Sequence, residues 1–263
     1  MSKPPNRCVY CGLPGVTKEH IWGAWSRKHA PAKFPRNEHI LERYHDFDIR
    51  GAKSSRKGHL DRPGTTRSQT MKIACGQCNS GWMKANVDAA IPTLTRMNYG
   101  YWGKITDYEA ATLTRWIAQF SMSFEFADRD TVMIPQSVRT EFSKTNQLTG
   151  NWVIAIGVAM PVTGKEPAFH RALGLTHTDG ETEPVQVTAF MFGMLLAVSF
   201  YSHFPTPSPV FSAISDMKLS VIFPLPSNGV VRPTWRHSEE TVPIVVDAIT
   251  AALSKWAETR GET

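Results

Sequence analysis

The chain has 263 residues, of which 41% are hydrophobic, and it carries a formal net charge of +6. This composition supports a sizeable core and excludes a wholly disordered protein. The N-terminus has no apolar secretory run, and the longest apolar stretch, residues 189–198, is too short to cross a bilayer. We therefore expect a cytoplasmic protein that is not bound to a membrane.

The positive charge is concentrated in the first third of the chain. Residues 1–87 contain 16 Lys and Arg against 6 Asp and Glu, whereas residues 88–263 contain 13 against 17. Concentrated basic charge attracts polyanions through the release of counterions, and nucleic acid is the usual partner. The alternative is a solvated basic surface that only keeps the protein in solution.

Two cysteine pairs mark the beginning and the end of the N-terminal region. Cys8 and Cys11 enclose a tight turn, and residues 17–22 are expected to leave that turn in an extended conformation. Apolar alternation over residues 70–74 predicts a short strand that enters the second cysteine pair. A helix is expected from about residue 80 to residue 90, and Pro92 then opens a further helical turn.

The insertion between the cysteine pairs, residues 21–74, holds 12 Lys and Arg against 5 acids. Its part from residue 50 to residue 67 is rich in Gly, Ser, Thr, Arg and Lys and has no sustained period, which predicts a flexible loop. Basic side chains on such a background suit contacts with phosphates rather than with bases. The predicted nucleic-acid-binding residues are Arg50, Lys53, Arg56, Lys57, Arg62, Arg67 and, on the following helix, Lys84.

The second region, residues 105–263, begins with a helix. Thr106 and Glu109 have the spacing of a capping box. Apolar side chains recur after it at helical spacing and predict a buried stripe at Leu113, Trp116, Ile117, Phe120 and Phe124. Pro135 is placed to open another helix towards Gln147. Strands are predicted over residues 152–160, 169–176, 185–199 and 218–223, and a closing helix over residues 240–258.

The spacing of the cysteines predicts a structural zinc ion. Two residues between ligands let one turn present both sulfurs of a pair, and disulfides are rare in the cytoplasm. The long gap between the pairs is tolerable because loop closure costs only logarithmically more with length. A redox CxxC pair and four unrelated buried thiols are the alternatives. The predicted ligands are Cys8, Cys11, Cys75 and Cys78.

Three further residues would meet if zinc joined the two pairs. Glu19 and His20 follow the first pair, and Asn79 directly follows Cys78. Carboxylate and amide oxygens suit Mg²⁺ or Mn²⁺. A neutral imidazole can accept a proton from water near pH 7. Together these groups provide the parts for phosphodiester hydrolysis.

This arrangement resembles the HNH (ββα-metal) endonuclease family over roughly the first 90 residues. The motifs that carry the resemblance are Cys8-x-x-Cys11, Glu19-His20-Ile21 and Cys75-x-x-Cys78-Asn79, which are typical of the bacterial and phage branch that ends in Asn. The resemblance implies a β-hairpin and a helix that hold one divalent ion, with DNA entering by its minor groove. It implies His20 as general base and Glu19 and Asn79 as ligands of that ion.

The sequence departs from the family pattern at the middle Asn, which is Thr70 here. That residue normally braces the loop that carries the base, so Thr70 or Gln69 is expected to take the supporting role. The insertion of residues 21–74 is also longer than is usual in the family.

The sequence therefore predicts an α+β protein with two domains. A zinc-clamped HNH-type nuclease domain occupies residues 1–104, and an α+β domain for targeting, sensing or dimerisation occupies residues 105–263. The expected function is metal-dependent DNA cleavage, in phage or bacterial defence, by a possible homodimer. The alternatives are a catalytically inactive, zinc-stabilised nucleic-acid-binding protein and an interaction module that acts through residues 105–263.

Overall fold

The computed structural model describes residues 6–20, 25–26, 39–45, 53–59, 70–127, 131–162, 166–176, 182–230 and 232–261. Within these ranges the protein is a mixed α+β fold, as the sequence predicts. The strands are β1 (Val16–His20), β2 (His39–His45), β3 (Lys53–His59), β4 (Thr70–Cys75), β5 (Asn151–Ala159), β6 (Ala168–Thr176), β7 (Thr182–Phe192), β8 (Leu195–Ser202), β9 (Ser220–Phe223) and β10 (Arg236–His237). The longer helices are α1 (Lys84–Asn98), α2 (Asp107–Phe124), α3 (Gln136–Thr145), α4 (Ser208–Asp216) and α5 (Thr241–Gly261).

The N-terminal part contains a two-stranded antiparallel sheet followed by a helix. Strand β1 pairs with β4, so that Val16 lies opposite Cys75 and His20 lies opposite Thr70. The chain leaves β4 through one helical turn at Gly76–Cys78 and a helical stretch at Asn79–Met83 that is kinked at Gly81, and then enters α1. The order of these elements is strand, strand, helix.

Helix α1 continues through Pro92 to Asn98, so the expected new helical turn at Pro92 is wrong. Its buried residues include Ala90, Leu94 and Met97, which pack in a common cluster with residues of α2. Burial of this apolar stripe outweighs the backbone hydrogen bond that a proline inside a helix removes.

The large sheet has eight strands in the order β10-β5-β8-β7-β6-β2-β3, with β9 also paired to β5. Most pairs are antiparallel, but β2 runs parallel to β6 and β10 runs parallel to β5. Strands β2 and β3 come from the insertion between the cysteine pairs. Packing therefore crosses the predicted domain boundary at residue 104.

The predicted flexible loop at residues 50–67 is wrong over β3. Lys53–His59 forms a strand that pairs antiparallel with β2. The pairing of β2 with β6 extends the sheet to this strand. Backbone hydrogen bonding to an adjacent strand does not require alternating apolar side chains, so the sequence pattern did not predict this strand.

The remaining strand predictions fit with one exception. Residues 185–199 were expected to form one strand, but a turn at Gly193 divides them between β7 and β8. Gly193 has a φ of +56°, and a Cβ there would collide with the side chain of Asn98. The Asn98 Oδ1 atom accepts a hydrogen bond of 3.1 Å from the Met194 N–H. A residue without a side chain is therefore required where α1 meets this hairpin.

The core lies on both faces of the large sheet because the side chains of β5 alternate. Ile154 and Ile156 belong to a cluster that contains Trp116 of α2, whereas Val153 belongs to a second cluster that contains Val245 of α5. The predicted capping box at the start of α2 and its buried stripe are both confirmed. None of the helices within the described residues has the length and apolar character that a bilayer crossing requires.

Candidate metal centre and active site

The four cysteine sulfurs lie at one place, all within 4.8 Å of one another. A tetrahedral zinc ion with bonds of about 2.3 Å needs sulfur–sulfur separations of about 3.8 Å. The Cys11 and Cys75 sulfurs are 3.5 Å apart, and all four cysteines are free thiols. Because the set consists of four thiolate donors at nearly the required spacing, it fits a structural zinc ion.

The first cysteine pair sits on a tight turn that is fixed to strand β4. The Cys8 N–H donates to the Leu13 carbonyl at 2.8 Å, and the Gly12 N–H donates to the Cys8 carbonyl at 2.9 Å. The Val9 N–H donates to the Ile73 carbonyl of β4 at 2.8 Å. This last bond brings the turn beside Cys75 before any ion is considered.

The surroundings of the sulfurs shift their pKa values in different directions. Burial acts to raise the pKa of the Cys8 thiol, but hydrogen bonds from the backbone amides of Cys11, Cys75 and Tyr10 leave that pKa below its ordinary value. Burial raises the pKa of the Cys11 and Cys78 thiols. A bound zinc ion deprotonates its thiol ligands. Its positive charge would therefore stabilise the thiolate form of these two sulfurs, which burial disfavours.

Helix α3 binds the residues between Cys8 and Cys11. The Gln136 Nε2 atom donates to the Val9 carbonyl at 2.7 Å, and the Arg139 Nε atom donates to the same carbonyl at 3.0 Å. The Thr140 hydroxyl donates to the Tyr10 carbonyl at 2.6 Å. These contacts were not predicted from the sequence. The i, i+3, i+4 spacing of the three donors predicts that they share one helix face, but it does not predict which carbonyl groups accept their hydrogen bonds.

Arg139 also pairs with the buried Glu125. The Arg139 Nη1 atom lies 2.9 Å from the Glu125 Oε1 atom, and both side chains are almost fully buried. Burial raises the pKa of Glu125, while Arg139 and two backbone amides act in the opposite direction. One guanidinium thus joins the cysteine turn to the residues that follow α2.

Glu19 lies on the inner side of the two-stranded sheet. It is opposite the buried Met71, and burial raises the pKa of its carboxyl group to about 7. Burial raises the pKa of Tyr10, and the charge of Glu19 adds to that increase; the Tyr10 hydroxyl lies 2.6 Å from the Ser123 hydroxyl. The carboxyl group of Glu19 therefore lies in a poorly hydrated environment near the cysteine turn.

His20 ends β1, directly opposite Thr70. Side chains alternate along a strand, so His20 and Glu19 project from opposite faces of the sheet. Opposite residues of an antiparallel pair have Cβ atoms about 4.5–5.5 Å apart, so Thr70 is placed next to the imidazole. Gln69, the other expected supporting residue, lies outside the described residues.

Asn79 begins the kinked helical stretch Asn79–Met83 and is hydrogen-bonded to β1. Its Nδ2 atom donates to the Thr17 hydroxyl at 3.2 Å, and that hydroxyl donates to the Ala74 carbonyl at 3.1 Å. Thr17 lies two residues before Glu19 on the same strand. The fold thus brings Asn79 to the strand that carries Glu19. Among the described residues, no hydrogen bond joins His20 to Glu19 or Asn79.

The predicted nucleic-acid-binding residues are only partly described. Lys84 is exposed and pairs with Asp88 one helical turn later. Lys53, Arg56 and Lys57 lie on β3, whereas Arg50, Arg62 and Arg67 lie outside the described residues. Another basic pair, Lys18 and Lys72, was not predicted from the sequence. The alternation of β1 and β4 could have placed them on one face, but only the pairing register puts them opposite each other.

Comparisons with protein-family models, curated proteins and solved structures found no match for this chain. The resemblance to the HNH family therefore depends on the motif residues and on the order of elements around them.

Proposed function

We propose that this chain is a metal-dependent DNA endonuclease of the ββα-metal type. One observation carries the proposal. The four sulfurs meet where β1 and β4 lead into the helical stretch, so Glu19, His20 and Asn79 lie on adjoining elements although the insertion separates them in sequence. If the two cysteine pairs lay at separate places in the fold, they would not bring these three residues close together.

The chemistry assigned to the residues is hydrolysis of a phosphodiester bond. His20 accepts a proton from a water molecule, and the water oxygen forms a new bond to phosphorus while the bond to the leaving oxygen breaks. The leaving oxygen then takes a proton from solvent water and departs as an alcohol. Glu19 and Asn79 would hold the divalent ion, which when bound supplies positive charge against the phosphate. The Thr70 hydroxyl, opposite His20, would orient the imidazole.

The test is a plasmid-nicking assay with Mg²⁺ or Mn²⁺ on the full chain. The His20→Ala variant should lose at least about 100-fold in cleavage rate, because a general base contributes roughly 10²–10⁴-fold. Its zinc content, DNA binding and thermal unfolding should stay close to those of the wild type.

The control is His203→Ala, which changes an exposed histidine that directly follows β8 of the large sheet. This variant should cleave at the wild-type rate. Equal cleavage by the wild type and the His20→Ala variant would refute the role of His20.

A second candidate function is nucleic-acid binding without cleavage. The observation that favours it is the alternation of β1, which directs the side chains of Glu19 and His20 to opposite faces. On this hypothesis the wild type retains DNA in a binding assay but does not nick plasmid with either ion.

A further inference from the structure

We propose that Lys18 and Lys72 form a phosphate-binding pair that holds one strand of a DNA duplex across the outer face of the two-stranded sheet, next to His20. The role given to His20 here rests on the proposed function. The binding of DNA phosphates by the lysine pair does not, because it depends only on the register of β1 and β4.

The geometry of the pair follows from that register. Lys18 lies directly opposite Lys72, and His20 lies directly opposite Thr70. The irregularity in the pairing falls between Thr17 and Lys18, so the register from Lys18 to His20 is continuous. The four side chains therefore project from one face as two neighbouring rows.

This face is the accessible one. Lys18 and Lys72 are exposed, while the opposite face carries Met71 and Ile73, which are 5% and 2% exposed. Among the described residues, the lysine side is the face of the two strands that lies open to a long, charged partner. The carboxyl group of Glu19 projects from the other face and does not neutralise the lysines there.

Two ammonium groups in this arrangement destabilise the free protein. Like charges directly opposite each other in an antiparallel pair repel. Neither lysine has an ion-pair partner among the described residues. A partner that carries phosphates would relieve the repulsion by lying between the two ammonium groups, and binding would release condensed counterions from the nucleic acid.

The spacing along the strand favours a chain of phosphates over a single anion. Lys18 and His20 are two residues apart, which is about 7 Å along a strand. This separation is close to that of successive phosphates in a nucleic-acid backbone. With one phosphate between the lysines, the next one lies over the imidazole. The pair therefore has a positioning role and makes no base contact.

The experiment measures DNA binding over a range of salt concentrations. Fluorescence anisotropy of a labelled duplex without divalent ions is recorded for full-length chains that all carry His20→Ala, so no cleavage interferes. Lys18→Gln and Lys72→Gln should each weaken binding about 5- to 10-fold near 0.1 M salt. The slope of log K against log salt is negative, and each substitution should reduce its magnitude by about one, because one phosphate contact is lost.

Lys104→Gln is the matched control because it removes the same charge from an exposed lysine outside the two strands. It should leave the salt slope within about 0.3 of the parent value, against the fall of about one per lysine in the pair. A fall as large as that of the pair variants would show that total charge, and not this face, determines binding, and would overturn the proposal.

Charge reversal gives a second readout that a purely structural role would not produce. Lys18→Glu places opposite charges across the pair, so the unfolding temperature should stay equal or rise while DNA binding falls. A fall in both quantities would indicate that Lys18 only supports the fold, and would overturn the proposal.

The outcomes separate the proposal from the proposed function. Reduced salt slopes in a protein that never nicks plasmid would support the lysine pair and refute the endonuclease. Unchanged salt slopes in a protein that nicks plasmid would refute the lysine pair and support the endonuclease. Binding to vesicles that contain phosphatidylserine, without binding to DNA, would also overturn the proposal.

Discussion

The two-stranded region around the cysteines and the large sheet obtain their stability from different sources. Strand β8 of the large sheet is buried at every residue, whereas β1 has no fully buried residue. An isolated pair of strands is at best marginally stable in water. The cysteine region is instead held by the buried side chains of Met71 and Ile73 on β4, by its contacts with α3 and, as we propose, by a bound metal ion. The outer face of β1 and β4 remains free to carry His20 and basic side chains.

The largest expected effect comes from removing one sulfur. In Cys75→Ser, bound zinc should fall to a trace, because a structural site of this kind contributes on the order of 10 kcal/mol to folding of the segment that it closes. Amides of β1 and β4 should then exchange rapidly with solvent, while those of β7 and β8 stay protected. Elemental analysis and hydrogen exchange measure the two effects.

A chelator added to the wild type should reproduce the exchange pattern of Cys75→Ser. If the amides of β1 and β4 stayed protected from exchange in a zinc-free protein, the prediction that zinc stabilises this region would be wrong.

The next effect tests the large sheet through pH. His170 is fully buried, with its Nε2 atom 2.9 Å from the Thr131 carbonyl and its Nδ1 atom 2.7 Å from the Thr188 hydroxyl. Burial lowers the pKa of His170 to about 4, although the hydrogen bond to Thr131 opposes the shift. The folded chain thus keeps a neutral imidazole at pH values where the unfolded chain binds a proton.

Stability should therefore fall as the pH decreases from about 6.5 to about 4, by about 3 kcal/mol in total from this group. Denaturant unfolding at several pH values compares the wild type with His170→Gln, in which this contribution is absent. Because both proteins share every other titrating group, the difference between their pH slopes isolates His170. Equal slopes would show that the imidazole is not held neutral.

The smallest effect tests the junction between the two regions. Thr140→Val removes the hydroxyl that donates to the Tyr10 carbonyl, and should reduce the free energy of unfolding by about 1 kcal/mol. It should also speed the transfer of zinc to a chelator, because the cysteine turn loses one of its fixed contacts.

Thr145→Val on the same helix is the control, since its hydroxyl is exposed and water can replace its hydrogen bond. This variant should release zinc at the wild-type rate. Identical zinc release by Thr140→Val would show that α3 does not stabilise the metal centre.

Most of the secondary structure around the site could be predicted from local patterns. The capping box at Thr106 and Glu109 and the strand before Cys75 depend on neighbours in sequence, and the structure has both. The strand at Lys53–His59 could not be predicted, because its pairing partners lie in β2 and, beyond that, in β6. The division at Gly193 depends on the approach of Asn98, which lies far away along the chain.

The residues that can bind a metal are recognisable from their order in the chain, because the spacing within Cys8–Cys11 and Cys75–Cys78 is a local property of two turns. The folded chain is needed to show that these turns meet, that α3 holds the first of them, and that Lys18 lies opposite Lys72. Ligand chemistry resides in single side chains. Juxtaposition arises from strand register and from packing between segments that are remote along the chain.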